Sequence, residues 1–383
     1  MIARTPEAFA KSGIDVRLHT RAAAIRPEQG SVELDSGDKL PFNYLVVATG
    51  ATPRRPSVVG EDLEGIFFLR NVTDAVRIKR FIEERNAKRA VVVGAGLVAL
   101  EMCEAFRALG LETTVVYRRD LPMLRLGEDF AEQILQELEA NGVKFMGDTT
   151  LEGFEQASGG NISVQTSNGR LETDLVLLAI GVVPAVKLAT EAGLALGPTG
   201  AIAVNDRLQT NIPTVYAAGD CCECYHRISR RPVYAPLGDV ANKQGRIAGA
   251  NIGGQSLTFD GVVGSICFKV FDLEVASTGL TEEEAKEAGL KAASFTIQGA
   301  SRAHSYPGSR ELQLRLVAES ESGLLLGAQG LGGDGVVSRI NALAVALTGG
   351  LTLEDLAYLD LAYAPPFSGA WDPIHIAAQQ LLK

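Results

Sequence analysis

Between residues 70 and 147 the chain alternates two patterns of apolar and polar positions. The segment "VTDAVRIKRFIEER" spaces its apolar residues as one face of a helix, and Ala90 to Val93 form a short apolar run that predicts a buried strand. A helix is predicted from residue 97, a strand over "ETTVVY", a helix over "EDFAEQILQELEANG" and a strand over "VKFMG". This succession is a βαβαβ unit built on a parallel sheet. Three alternating runs follow, "LEGFEQA", "NISVQTS" and "RLETD", and predict antiparallel strands before the apolar strand "LVLLAIG".

The flanks read differently. From 14 to 48, the runs "DVRLHTRAAAI", "SVELDSGDKL" and "YLVVATG" predict a strand meander that feeds a core strand. The proline- and glycine-rich "ATPRRPSVVGEDLEG" reads as a crossover between domains. Residues 189–255 hold "TVYAAGD" and the helix "VANKQGRIAGANI". The remainder, with strand-like "ICFKVFDLEVASTGL" and a helix near 335 to 348, reads as a separate α+β domain.

A chain of 383 residues accommodates two or three such domains. Its net charge of −10 argues against nucleic acid or an anionic membrane as partner. No apolar run reaches the roughly 18 to 20 residues of a membrane span, and the first residues lack the apolar core of a signal peptide. A cytoplasmic protein is expected. The five cysteines, Cys103, Cys221, Cys222, Cys224 and Cys267, have no framework spacing and fit reduced thiols. Cys103 and Cys267 are expected to be small buried apolar residues. In "CCECYH", Cys221, Cys222, Cys224 and His226 offer metal-binding atoms, but only Cys221 and Cys224 are suitably spaced and no second pair exists, so no metal is expected.

The candidate chemistry sits in "VVVGAGLVALE". Gly94 permits a turn, Gly96 lets the main chain approach a pyrophosphate, and Ala99 allows the helix to pack closely on the strand. The phosphates would rest at the helix N-terminus, where free N–H groups and the dipole favour anions. The nucleotide is identified at the end of the second strand, about twenty residues on, where an NAD site carries an acid for the ribose hydroxyl. Here "TVVYRRDLPMLR" places Tyr117 in that position, followed by Arg118 and Arg119, with Arg125 as a possible third cation. Guanidinium groups bind a 2′-phosphate that a carboxylate would repel, so NADPH is expected, with NADH the less favoured nucleotide. The competing reading is a solvated basic turn with Asp120 as a displaced acid.

Three patterns in order, "VVATGATPRRP" (46–56), "VVVGAGLVALE" (91–101) and "TNIPTVYAAGD" (210–220), resemble the pyridine nucleotide-disulphide oxidoreductases. The stretches "VFDLEVASTGLTEEEAKEAG" and "LAYAPPFSGAWDP" are similar to the subgroup of coenzyme A-disulphide reductases and NADH oxidases. The resemblance implies an α/β fold of two Rossmann-like dinucleotide-binding domains, with the FAD domain incomplete and interrupted by the NAD(P) domain, plus a C-terminal α+β dimerisation domain. It assigns 1–68 and 189–256 to the FAD-binding domain, 69–188 to the NAD(P)-binding domain and 257–383 to dimerisation. The implied activity is FAD-dependent hydride transfer from NAD(P)H, with electrons passed on to a disulphide, persulphide or oxygen. The implied partners are a second copy of the chain and a small-molecule substrate such as a coenzyme A disulphide or persulphide.

Residue by residue, the resemblance places Thr49, Gly50 and Ala51 in a turn passing close to FAD. Gly219 and Asp220 form the "GD" element whose aspartate bonds the ribityl chain, a role Asp220 could combine with capping a helix. Glu101 matches an acid beside the nicotinamide and flavin rings, and otherwise reads as a solvated helix residue. Gly181 matches a turn lining the nicotinamide pocket, although Val182 and Val183 depart from the family pattern. Tyr306 and Tyr363 match tyrosines that reach across the dimer toward the partner's substrate, or else serve as interface anchors. The family's first glycine turn and the redox cysteine after it find no counterpart here. The expectation is therefore a fragment or mis-started frame, and the alternative is a non-catalytic, NADPH-binding, dimerising remnant.

Overall fold

The computed structural model describes residues 4–383, which pack as two compact units. One comprises the chain up to Ala51 together with 184–224 and 232–260; the other comprises 52–183, 225–231 and 261–383.

The larger unit contains two five-stranded sheets. The first is all parallel, in the order Ile66–Phe67, Leu175–Leu178, Arg89–Val93, Glu112–Val116, Val143–Met146. Its inner strands are near-continuous apolar runs because both faces are covered: Ala90, Val92, Val115, Leu175 and Leu177 pack with the helices, and Val91, Val93, Val116, Val176 and Leu178 pack with Phe154, Ile162 and Val164. The helix Leu97–Ala108 buries Ala99, Leu100, Cys103 and Phe106, and Glu128–Ala140 buries Phe130, Ala131, Ile134 and Leu138. Each large apolar side chain removed from water contributes about 1.5–3 kcal/mol. The three strands Leu151–Gln156, Ile162–Thr166 and Gly169–Thr173 pair antiparallel, in line with their alternation.

The second sheet is antiparallel, in the order Ile266–Val270, Leu273–Gly279, Leu325–Gly332, Glu311–Glu319, Ala292–Ala300. The helices Val336–Gly349, Leu353–Ala357 and Pro373–Leu381 pack on it around Leu314, Leu316, Ala328, Ile340 and Ile374. The two sheets share part of their core. Phe268, Val270, Val275 and Leu331 join Val92, Leu100, Phe106 and Phe130 in one cluster.

The smaller unit has an antiparallel meander of Ala22–Arg26, Ser31–Leu34 and Lys39–Pro41, and a parallel pair of Leu45–Val47 with Val215–Ala217. The strand expected across "DVRLHTRAAAI" begins only at Ala22. Ile14 and Leu18 are exposed and His19 adopts φ +53°, so the first half of that run buries little apolar surface and is broken by a turn at His19. Cys267 also departs from expectation. Phe268 and Val270 turn inward on the strand Ile266–Val270, and alternation leaves Cys267 exposed beside Lys269. Cys103 is fully buried, and burial pushes its thiol up to about 12.

Candidate dinucleotide site and its supports

At the end of the strand Arg89–Val93, Gly94 adopts φ +115°, and its N–H donates to Val116 O at 3.0 Å. A Cβ there would lie 2.4 Å from the carbonyl oxygen of Ala179, so this position admits only glycine. Gly96 is the N-cap of the helix Leu97–Ala108, with no side-chain cap and no acidic residue in the first turn. A Cβ on Gly96 would meet nothing within 4 Å. The free N–H groups of the first turn therefore open onto space, which suits a pyrophosphate. Ala99 is fully buried where the helix crosses the sheet.

The second strand, Glu112–Val116, delivers Tyr117, Arg118 and Arg119. Tyr117 is half-buried, edge-on to Phe145. Main-chain bonds pin this corner: Tyr117 N–H to Met146 O at 3.0 Å, Thr149 N–H to Tyr117 O at 2.9 Å and Asp148 N–H to Arg119 O at 3.1 Å. Arg118 and Arg119 are exposed and form no ion pair among the described residues. The Asp120 carboxylate accepts the N–H of Leu121 at 2.9 Å. Arg125 is differently occupied. Its Nε lies 2.6 Å from Glu284 Oε1 and its Nη2 lies 3.3 Å from Glu284 Oε2. Burial, the largest influence on Glu284, pushes its carboxyl up, but hydrogen bonds from Arg125 and the Thr281 main chain hold it below the usual carboxylate range.

Glu101 is exposed on the helix Leu97–Ala108 but is not simply solvated. Partial desolvation, then repulsion from Glu104, raise its carboxyl above the usual range, against a hydrogen bond from the Lys269 main chain. Gly181 adopts φ +100°, accepts the N–H of Arg54 at 2.9 Å and faces open space.

In the smaller unit, Thr49 Oγ1 donates to Ala185 O at 2.7 Å, and Gly50, at φ +70°, accepts the Ala185 N–H at 2.9 Å. Ala51 is buried. Gly219, at φ +82°, donates its N–H to Gln244 Oε1 at 2.8 Å. Asp220 is buried and its carbonyl accepts the hydroxyl of Tyr234 at 2.9 Å. It lies in a turn, and the next helix, Gly238–Ile252, has Leu237 as N-cap, so Asp220 caps no helix. The glycine at positive φ and the buried aspartate beside it fit the polar flank of a dinucleotide. Among the described residues, no group of three or more His, Cys, Asp and Glu could hold a metal ion.

Tyr306 and Tyr363 are exposed on two segments that the fold ties together: Ala303 N–H donates to Pro365 O at 3.0 Å, and Tyr306 N–H donates to Ala303 O at 2.8 Å. Phe367, Tyr358 and Trp371 are exposed on the same stretch. Beneath them lies a buried network that sequence reasoning missed. Arg339 Nη2 lies 2.8 Å from Asp372 Oδ2, Ser368 Oγ donates to the same oxygen at 2.8 Å, and Asp372 caps the helix Pro373–Leu381 through Ile374 N–H at 3.0 Å. His375 closes it, bonding Leu359 O at 2.8 Å. Glu284 and Arg315 were missed as well. The only local signal for Glu284 was its capping box with Thr281.

Comparison with known proteins agrees with this geometry. The family model "Pyridine nucleotide-disulphide oxidoreductase" matches residues 3–245, and that family's dimerisation domain matches 266–373. A CoA-dependent NAD(P)H sulfur oxidoreductase of Pyrococcus furiosus is 38% identical over 98% of this chain and 85% of its own. The structure of an NAD-dependent persulfide reductase from A. fulgidus superposes with a TM-score of 0.95 at 38% identity, covering 100% of this chain and 72% of that one. An engineered water-forming NADPH oxidase bound to NADPH superposes with a TM-score of 0.94 at 27% identity, covering 99% and 85%. These relatives are enzymes, which does not favour the reading of a non-catalytic remnant. With two family models in order along the chain and relatives aligned over nearly all of it, the chain belongs to the pyridine nucleotide-disulphide oxidoreductases, an FAD- and NAD(P)H-dependent family of oxidoreductases.

Proposed function

We propose that this oxidoreductase draws its electrons from NADPH in preference to NADH and delivers them to a disulphide or persulphide of the coenzyme A class. The observation that carries the first half is the strand end at Tyr117, where a tyrosine stands in place of an acid and two unpaired guanidinium groups follow it. A tyrosine there leaves a 2′-phosphate unopposed, and Arg118 and Arg119 can bond it with charge-assisted pairs. The NADPH-bound relative supports this. It was engineered by substitutions that include an aspartate changed to alanine and two residues changed to arginine. The A. fulgidus relative is described as NAD-dependent, so the preference rests on this chain's own residues.

Gly94, Gly96 and Ala99 would seat the pyrophosphate, with Gly181 and Glu101 toward the nicotinamide. Thr49, Gly50, Ala51, Gly219 and Asp220 would hold the ribityl side of FAD. When bound, FAD supplies the two-electron relay between nicotinamide and acceptor. Glu101, its proton held more tightly than an ordinary glutamate's, is suited to keep a proton beside those rings. Functionally, 1–68 and 189–256 act as the FAD domain, 69–188 as the NAD(P) domain and 257–383 as the dimerising domain of a cytoplasmic homodimer. There, Tyr306 and Tyr363 would meet the partner's substrate. The acceptor is favoured by the name of the Pyrococcus relative, a CoA-dependent sulfur oxidoreductase.

The test is NADPH oxidation by the FAD-loaded protein with coenzyme A disulphide, coenzyme A persulphide or oxygen as sole acceptor. Faster turnover with a coenzyme A acceptor is expected, falling in a Tyr363→Phe variant. Turnover with oxygen alone at the same rate would overturn the assignment.

A further inference from the structure

The loop from Tyr117 to Gly127 is held from two directions. Its first half is bonded to residues 146–149 within the parallel sheet. Its second half is gripped by the C-terminal segment, through two side chains far away in sequence. Glu284 takes two nitrogens of Arg125, and its side chain is only 29% exposed. Arg315 is more deeply engaged. Its Nη1 donates to Leu126 O at 2.8 Å, its Nε to Thr296 Oγ1 at 2.8 Å and its Nη2 to Asp129 Oδ1 at 2.7 Å. Its guanidinium also lies over the Phe130 ring, 4.7 Å from the centroid. The fit is close: at Gly127, φ +104°, a Cβ would lie 2.5 Å from Arg315 Nη1. All three nitrogens of this guanidinium bond to the end of the loop, the first turn of the following helix or the neighbouring strand. The planar, preorganised fork of arginine suits such a fastening.

We propose that Glu284, backed by Arg315, is a positioning residue for the nucleotide-selecting loop, with Arg125 as its strut rather than as a third phosphate ligand. This rests on the NADPH reading above. The carboxylate of Glu284 already neutralises Arg125, and a half-buried bidentate pair is a poor donor to a second anion because freeing the guanidinium strands the acid. Arg118 and Arg119 have no such competitor, and their position relative to a bound ribose depends on how firmly the loop behind them is fixed. Selection of the 2′-phosphate is thereby tied to the helix Glu282–Glu287 and to the strand Glu311–Glu319 of the antiparallel sheet.

The two roles for Arg125 predict opposite outcomes when Glu284 is changed. Calorimetric titration of the full chain with adenosine 2′,5′-bisphosphate and with 5′-AMP gives the ratio of the 5′-AMP dissociation constant to that of the bisphosphate, which reads the 2′-phosphate alone. Glu284→Gln keeps an oxygen for the Thr281 N–H, so the capping box survives, while the charge that fastens Arg125 is lost. Arg125→Met removes the other end. Each variant is expected to lower the ratio about fivefold, the scale of coupling within one ion-pair network, with 5′-AMP affinity unchanged. An unchanged or raised ratio in Glu284→Gln, alongside a fall in Arg125→Met, would make Arg125 a direct ligand and overturn the proposal. Equal losses for both ligands would also overturn it, as the mark of a merely structural pair. Arg118→Ala separates the two readings. If it abolishes the ratio while Glu284→Gln is silent, the positioning role fails and the NADPH reading stands. A ratio near one in the unmodified chain defeats both.

Discussion

The two five-stranded sheets of the larger unit put charge to different uses. In the parallel sheet, the inner strands are largely apolar, and Arg118 and Arg119 stand just beyond the C-terminal end of Glu112–Val116, after Tyr117, exposed and without an ion pair. In the antiparallel sheet and its helices, guanidinium groups are drawn inward and satisfied. Arg315 is fastened to Leu126, Asp129 and Thr296, and Arg339 is buried against Asp372. Open cations are available to a ligand, whereas enclosed ones fix geometry and would be costly to leave unpaired. One sheet therefore presents chemistry, and the other holds in place the segments that present it, namely the nucleotide loop and the two tyrosine segments.

The sharpest way to break this contrast is at Asp372. Replacing it with alanine would leave Arg339 buried without its counter-ion, remove one of the two acceptors of Ser368 and remove a helix cap. A loss of about 3–5 kcal/mol is expected. Arg118→Ala, at an exposed site, should change stability by no more than about 0.5 kcal/mol. Urea unfolding of the two variants reads the difference directly. A loss below about 1 kcal/mol for Asp372→Ala would mean that the enclosed network is not a fastener.

A smaller effect sharpens the same contrast through pH. His226 is buried, and burial holds its imidazole below the ordinary value of 6.5, with Glu284 acting against that shift and Arg125 reinforcing it. Its Nδ1 accepts the N–H of Ser229 at 3.2 Å, a bond that protonation removes. Because the folded state binds the proton less readily than the unfolded chain, this contribution is complete above about pH 6.5 and is lost as the pH falls through the lower folded value. The melting temperature should therefore drop between about pH 7.5 and 5.5, and less so in His226→Gln. Identical slopes in the two proteins would remove His226 from the account.

What the sequence disclosed, and what it hid, follows the same division. Most of the parallel sheet could be read residue by residue because each signal is local, although its short edge strand Ile66–Phe67 was not expected. The run Ala90–Val93, the turn at Gly94, the helix after Gly96 and the cations at 118 and 119 follow in one short stretch. Cys267 was misread because the apolar character of "SICFKVF" was visible, whereas the choice of inward face depended on Phe268 and Val270. Asp220 was also read as a possible helix cap, but the next helix starts only at Gly238. Glu284 and Arg315 could not be found at all. Their partners lie 159 and 186 residues away, and nothing local distinguishes a glutamate in a capping box from one that also holds an arginine across a domain. Arg339 and Asp372, 33 residues apart, gave no sign beyond a proline-initiated helix.

The central claim is that two open guanidinium groups at the end of the second strand select the phosphorylated nucleotide. Its most direct test is equilibrium titration of the unmodified protein with NADPH and NADH at one ionic strength, repeated on Arg118→Glu. The account predicts tighter binding of NADPH, by about tenfold or more for two charge-assisted contacts, and a gap that narrows or reverses in the variant. Equal affinities in the unmodified protein would contradict it.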